Sequence, residues 1–360
     1  RGQPLVDHKM TGDEMPNLAQ FGASASSDVM IYRDENFGPG YRGNLFSAMF
    51  NMHKIARHVL EPDGATYRCR TEDFLTSPNT DFHATDVLED ADGSLIVVDT
   101  GAWFLIGCPT SVIAKPQISG GIYRIRRADA KQSNDPWGLN FAWDTLKPEE
   151  LLALLDDGRF AVRDRAMSVL AARKQAAVPA LKSAMSEKSS PRIRLNAVWT
   201  LVRIVSPEAA ASVRLALNDP DDSVRQAAAT AAGLFRDRQA LPQLVQLVRE
   251  DTSSPVRREA ATSLGRIGNT EAIPALLTSL TGVTDRFLDH ALIFALIRLD
   301  NRERTVAGLG DRAPEVRRGA LIALDQMDHG KLSQEDVTRA LETDNTRLQQ
   351  TALKVISRHS

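Results

Sequence analysis

Asp81–Arg127 reads DFHATDVLEDADGSLIVVDTGAWFLIGCPTSVIAKPQISGGIYRIRR. Alternating runs rich in β-branched residues lie at Ala84–Asp90, Ser94–Asp99 and Gly121–Arg126. Asp90-Ala-Asp-Gly93 joins the first two. It is a tight-turn sequence, in which Gly takes positive φ and Asp bonds its own backbone. A long loop, Thr100–Gly120, joins the second and third and carries Trp103, Phe104 and Cys108. Loops of that length inside compact structure are usually functional or disordered. Up-and-down strands with one tight turn and one long loop make most of a β-propeller blade.

The chain upstream supplies a complete set of strands. Asp28–Arg33, Asn44–Phe50, His53–Leu60 and Thr66–Phe74 alternate and are separated by turn clusters such as Asn36–Arg42 and Glu61-Pro-Asp-Gly64. Residues 1–27 lack periodicity and read as loop. The blade that starts at His83 shows no fourth strand before the composition changes at Ala128. Propellers hide sheet edges, and a last blade commonly borrows its outer strand from the other end of the ring. The expectation is therefore the last two blades of a propeller. About four further blades would be needed to close the ring, so the sequence is expected to be the later part of a longer protein.

Asp129–Trp143 is a polar linker, and Pro148-Glu-Glu opens a helix with Pro in the first turn and acids at the positive end of the dipole. An apolar–Arg anchor then recurs at Val162-Arg163, Ile193-Arg194, Val224-Arg225, Val256-Arg257 and Val316-Arg317, echoed at Phe287-Leu288 and Leu348-Gln349. The steps are 31, 31, 32, 31, 29 and 32 residues. Fixed self-similarity on this scale means a solenoid. In one unit the first helix presents Val224, Ala227, Ala228, Ala231 and Leu234, and the second Leu241, Leu244, Val245 and Val248. Pro179, Pro242 and Pro274 stand near the start of second helices. The unit resembles the short HEAT-like repeats of bacterial proteins. The expected organisation is residues 1–127 as propeller blades, 128–147 as linker and 148–360 as an α-solenoid of such repeats.

With 42% hydrophobic and 25% charged residues and a net charge of −2, nothing in the bulk charge points to nucleic acid or an anionic membrane. No apolar run approaches the roughly 18 residues of a spanning helix. The repeated arginines look like a basic stripe. Asp164, Asp221, Asp222, Glu259 and Glu315 are interleaved with them, so pairing between repeats is expected rather than a nucleic-acid surface. Cys69 and Cys108 are too few for a disulfide framework or a zinc site. Two free thiols and a single disulfide both remain open.

In an up-and-down blade, the start of the innermost strand and the end of the second strand lie at one mouth of the ring. That geometry gathers His83, Asp86, Asp99 and Trp103 with Asn51 and His53 of the preceding blade. Polar groups under an aromatic loop suit a small-molecule pocket. They equally suit a propeller interior whose polar groups satisfy loop backbone. Asp90-x-Asp92-Gly93 lacks the later oxygen ligands of a calcium loop and reads as a hairpin turn. Arg124, Arg126 and Arg127 are expected to be solvated edge residues, with carboxylate or phosphate binding as the alternative.

Taken together, YRGNLF (41–46), HKIARHVLEPDGATYRC (53–69), DFLTS (73–77), DFHATDVLEDADGSLIVVDTG (81–101), CPTS (108–111) and GGIYRIRR (120–127) resemble the C-terminal blades of quinoprotein glucose/sorbosone dehydrogenase-like propellers. The nearest likeness is to the multidomain "membrane-bound dehydrogenase" proteins of planctomycete-type bacteria, in which HEAT-like repeats follow the propeller. The resemblance implies an exported protein, periplasmic or in the cell envelope. It also implies a pyrroloquinoline quinone (PQQ) cofactor with calcium, oxidation of a sugar or alcohol, a cytochrome electron acceptor and a protein partner on the solenoid. It places no general base in this chain. His83 is a candidate by position only, and this stretch alone is expected to be inactive. The alternative is a non-catalytic scaffold that binds proteins or polysaccharide. The cytochrome signature C-x-x-C-H is absent from the sequence.

Overall fold

The computed structural model describes residues 8–103, 115–130 and 133–359. Seven strands come first: β1 (Ser26–Ile31), β2 (Leu45–Met49), β3 (Lys54–Asp63), β4 (Thr66–Thr76), β5 (Ala84–Glu89), β6 (Leu95–Gly101) and β7 (Ser119–Ile125). They form one four-stranded sheet in the order β1-β2-β3-β4 and one three-stranded sheet in the order β5-β6-β7. Each follows chain order, with successive strands paired as neighbours. The change from strand to helix falls between Ile125 and Pro148. Compactness divides the described chain differently, into residues 17–63 with 67–169, and residues 8–16 with 64–66 and 170–359. The sheets thus share a unit with the first helix, α1 (Pro148–Leu154), and most of the second, α2 (Phe160–Ala172).

Within that unit the apolar faces of both sheets build one core. Tyr32, Phe46, Ala48 and Ile55 meet Phe82, Ala84, Val87, Leu95 and Val97. Phe46 is fully buried and lies edge-on to Phe74 at 5.0 Å, a favoured aromatic arrangement. The Asp90–Gly93 turn is a docking point. Gly93 takes φ +75°, and its carbonyl accepts the Tyr32 hydroxyl at 2.7 Å. Arg124 and Arg126 are exposed at the outer strand β7, as expected, and each is also ion-paired there. Arg124 pairs with Asp90 at 2.6 Å and Arg126 with Asp92 at 2.8 Å. The hairpin turn places two carboxylates beside the neighbouring strand's arginines, a juxtaposition invisible in linear sequence.

The second unit is helical. The first helices of successive repeats are α4 (Pro191–Ile204), α6 (Asp222–Phe235), α8 (Ser254–Ile267), α10 (Arg286–Leu299), α12 (Pro314–Gln326) and α14 (Thr346–His359). Each packs on the next. α3 (Val178–Ala184) precedes them, and between them lie α5 (Pro207–Leu215), α7 (Leu241–Glu250), α9 (Ile273–Thr278), α11 (Arg302–Thr305) and α13 (Gln334–Leu341). Pro179, Pro242 and Pro274 occupy the first turn of α3, α7 and α9, where the missing N–H costs nothing. Small residues set the close approach of neighbouring first helices. A Cβ on Gly265 would lie 2.9 Å from Ala295 Cα, and Ser263 Oγ donates to Ala229 O at 2.7 Å. Leu234 departs from the expected core face and is 53% exposed. Ten residues from Val224 is about 2.8 turns, which rotates Leu234 some 80° off the Val224 stripe.

The arginine anchors join repeats. Arg194 forks onto Asp219 and Arg225 onto Asp251. Arg257 donates to Val248 O and Ser279 O, and Arg317 reaches Thr343 Oγ1. Gln349 takes the same part with Leu341 O and Thr343 O. No helix among the described residues is long and apolar enough to cross a membrane.

First helices end in a left-handed residue at Val205, Arg236, Gly268 and Asp300. Val205, at φ 48°, carries the branched side chain least suited to that region. Val205→Asn is expected to stabilise the solenoid by about 1 kcal/mol, since the left-handed conformation costs an ordinary residue roughly that much. The check is the urea midpoint followed at 222 nm. An unchanged or lower midpoint would show that Val205 carries no strain.

Candidate functional site

The expected mouth residues separate into three groups. His53, His83 and Asp99 come together. Asp99 lies on β6, and its carboxylate oxygen Oδ1 accepts the backbone N–H of His83 and of Gly101, each at 2.8 Å. Both acceptances hold the chain entering β5 against the end of β6. Asp99 and His83 are each 8% exposed. His83 Nδ1 lies 2.9 Å from Gly101 O, and His53 Nδ1 2.7 Å from Phe82 O. A carbonyl only accepts, so in both neutral rings Nδ1 carries the proton and Nε2 the lone pair. The two rings are 5.4 Å apart, edge to face, and Phe50 lies 4.6 Å from His83 on a tilted ring. His53 takes φ 52° directly after a short 3-10 turn, Phe50–Met52. That left-handed residue turns the chain from β2 into β3.

Asn51 belongs to a second group. Its side chain accepts from Ala25 N and donates to Ala23 O, both at 2.9 Å, so it ties down the 23–25 loop. Trp103 is 56% exposed. The ends of its loop are pinned, with Ala102 N–H donating to Ile118 O at 3.2 Å and Lys115 N–H to Ala102 O at 2.8 Å. Residues 104–114, including Cys108 and the expected cover of the mouth, lie outside the described residues. Cys69 is a free thiol, 3.1 Å from Leu18 O.

Asp86 forms the third group, with Asp28 of β1. Burial, and then a hydrogen bond to Asp28, push the Asp86 carboxyl above its ordinary range. Asp28 also accepts the Val87 N–H at 3.1 Å. The two acids are structural equivalents. β1 and β5 each carry a register shift one residue before the acid, between Ser26 and Asp28 and between Ala84 and Asp86. Sequence held the signal. Ser-Ser-Asp-Val at 26–29 matches Ala-Thr-Asp-Val at 84–87. A neighbouring carboxyl disfavours ionisation of Asp86, in the same direction as its burial.

A further opening in the helical unit lies elsewhere. A cleft of about 720 Å³ is lined by Leu324, Met327, Leu332, Val337, Val355 and Ile356 of the α12–α14 region, with Lys331 and His359 on its wall. Asp325 lies at its inner end and holds Arg358 at 2.5 Å and His359 Nε2 at 2.7 Å. No motif marks it. Its lining comes from three helices and the 327–333 connection, so only packing assembles it.

The comparisons bear on the helical part. Residues 148–217 and 211–297 match the family model of HEAT repeats. Similar solved structures include the CpcE–CpcF phycocyanin lyase complex of Nostoc sp., at 26% identity, covering 60% of this chain and 88% of that one with a TM-score of 0.35. Escherichia coli YibA is 22% identical and covers 64% of this chain and 100% of that one with a TM-score of 0.37. Importin beta is 10% identical over 58% of this chain and 35% of that one, with a TM-score of 0.44. No curated protein matches the sequence. With paired helices, a repeat of about the expected length and an arginine ladder between units, the helical part of the chain is a solenoid of HEAT-like repeats, of which residues 148–297 match the HEAT model.

Proposed function

We propose that the protein is a scaffold that holds a protein partner on its HEAT-repeat solenoid. The observation that carries this reading is the 720 Å³ cleft between α12, α13 and α14. A concave, mostly apolar lining with a few charged groups suits a partner's aliphatic or aromatic side chains. Ile356 is 42% exposed on that wall. The test uses full-length protein as bait, followed by calorimetry with the retained partner. Ile356→Asp is expected to weaken binding about tenfold or more, because it buries a carboxylate against apolar surface. Leu215→Asp, at an exposed position of α5, leaves it unchanged. No retained partner, or equal affinity for both variants, defeats the reading.

One observation favours a second reading. His53 and His83 are each oriented by a backbone carbonyl with Nε2 as the basic nitrogen, which is the preparation a general base needs. That suits the oxidoreductase propeller implied by the sequence resemblance, with its quinone and calcium, cytochrome acceptor and exported location. The described residues do not by themselves fit either cofactor. Among them no group of three or more His, Cys, Asp or Glu side chains is placed to hold a metal ion. Asp99 is committed to two N–H groups, and Arg124 and Arg126 to the turn acids. No chemical step is therefore derived through them. Full-length protein supplied with PQQ and calcium, assayed for dye reduction across sugars and alcohols, tests the reading. His83→Ala is expected to lower kcat/KM about 10²-fold if His83 transfers the proton, and Trp103→Ala to lower it as well. Variants equal to wild type would make both residues structural. A wild type that neither binds quinone nor reduces dye leaves the scaffold alone.

A further inference from the structure

We propose that the face of the solenoid built by α10, α12 and α14 is a groove for an extended peptide that presents a carboxylate, and that residues 9–13 of this chain occupy it in cis. The proposal rests on the protein-binding reading above and gives it a second surface and a ligand class. Five consecutive residues, Lys-Met-Thr-Gly-Asp, each meet the solenoid. Lys9 Nζ pairs with Asp328 at 2.6 Å. The Met10 N–H donates to Gln326 Oε1 at 2.7 Å. Thr11 is 5% exposed. Its hydroxyl lies 2.6 Å from His290 Nδ1 and accepts from Arg286 Nη2 at 3.1 Å. Gly12 takes φ +120°, and a Cβ there would lie 3.1 Å from Arg318 Nη1. The Asp13 carbonyl accepts from Arg286 Nε at 3.0 Å, and its carboxylate pairs with Lys354 at 2.6 Å.

The groove floor is charged and incompletely satisfied. Asp289 and Arg318, each about 3% exposed at the side chain, are ion-paired. Arg286 Nη1, Asp289 Oδ2 and Arg318 Nε are buried without a hydrogen-bond partner. Arg286 and Arg347 stand 3.5 and 3.7 Å from the Asp289 carboxylate. With Arg318 and Lys354, they make a cationic surface that Asp289 alone does not neutralise, and the Asp13 carboxylate supplies one further negative charge. Met10 is 47% exposed, so the segment is held by polar and charged contacts more than by apolar burial. Such contacts confer specificity and exchange readily with a competing chain. The ligand is therefore an extended segment presenting a hydroxyl, a glycine and a carboxylate in succession.

The probe is a fluorescein-labelled peptide of residues 8–16, HKMTGDEMP, titrated by anisotropy against the whole protein. Gly12→Val unseats the segment in cis through Arg318. The variant is expected to bind the peptide about tenfold or more tightly than wild type, whose groove is mostly occupied. A peptide with Asp13→Lys is expected to bind the variant at least about tenfold more weakly, through repulsion from the cations. Equal binding by variant and wild type, or by the two peptides, overturns the proposal. If Gly12→Val does not fold, ¹⁵N-labelled wild type is titrated with unlabelled peptide. The Thr11 and Gly12 amide signals should move to disordered positions with the native peptide and stay with the Asp13→Lys peptide. Signals unmoved by excess native peptide overturn it equally. A failed titration beside partner binding that is still lost in Ile356→Asp removes this groove and leaves the scaffold reading intact.

Discussion

Replacing Arg194 by alanine is expected to lower the stability of the solenoid by about 3–5 kcal/mol, the cost of stranding one partner of a buried ion pair. Arg194 Nε and Nη2 each donate to Asp219 at 2.8 Å, and Nη1 donates to Ser189 O at 2.6 Å. The two side chains are 5% and 4% exposed. Without the guanidinium, the Asp219 carboxylate keeps only the N–H of Asp221 at 2.9 Å. Desolvation, not lost attraction, sets the size of the effect. The double variant Arg194→Met with Asp219→Leu should therefore recover most of the loss. Arg257→Ala is the comparison. That arginine donates to carbonyls at 3.0 and 3.4 Å, so its removal strands no charge and should cost about 1–2 kcal/mol. Urea unfolding followed by helical ellipticity measures all of them. A loss for Arg194→Ala no larger than for Arg257→Ala would mean that the ladder is ordinary surface pairing.

Gly120→Ala is expected to break the β6–β7 pairing beside the histidines, at a cost of about 3 kcal/mol, the upper range for overpacking. A Cβ on Gly120 would overlap the Asp99 carbonyl and lie 2.7 Å from the Thr100 carbonyl carbon. Both are backbone atoms. They cannot yield without disturbing Asp99↔Gly121 and Gly101↔Ser119. The disturbance reaches the Asp99 carboxylate that holds the His83 and Gly101 amides. Gly121→Ala is the control, because its Cβ would meet only the Tyr123 ring at 3.1 Å. That half-exposed ring can turn aside, so the change should stay within about 1 kcal/mol. Hydrogen exchange over β6 and β7 discriminates the two. Protection of the Gly101 amide should fall in Gly120→Ala and persist in Gly121→Ala.

The candidate site was legible in part. The Asp99 carboxylate accepts the His83 N–H. Their spacing follows from strand alternation and the one tight turn between them. What Asp99 does there was not legible. A carboxylate after a second strand reads alike whether it faces a ligand or caps two amides, and the choice depends on where the chain before β5 passes. Asp28 begins the first alternating run, and its match of Ser-Ser-Asp-Val with Ala-Thr-Asp-Val is too short to mark a pair of acids without the strand pairing. The arginine pairs on Asp90 and Asp92 were missed because β7 lies some 30 residues beyond the turn it flanks.

By itself, the sequence determined the strands, their antiparallel order and the paired helices with their arginine anchors. All of these rest on short-range periodicity: two residues for a strand, 3.6 for a helix and about 31 for the repeat. Tertiary structure alone decided which acid each arginine meets. Arg194 reaches Asp219 because α5 carries the chain back to the start of α6. It alone decided that Thr11 and Asp13 lie against Arg286 and Lys354, across sequence separations of 275 and 341 residues. Contacts of that range leave no period in the sequence. They depend on the stacking of every repeat between them, so they appear only once the stack is built.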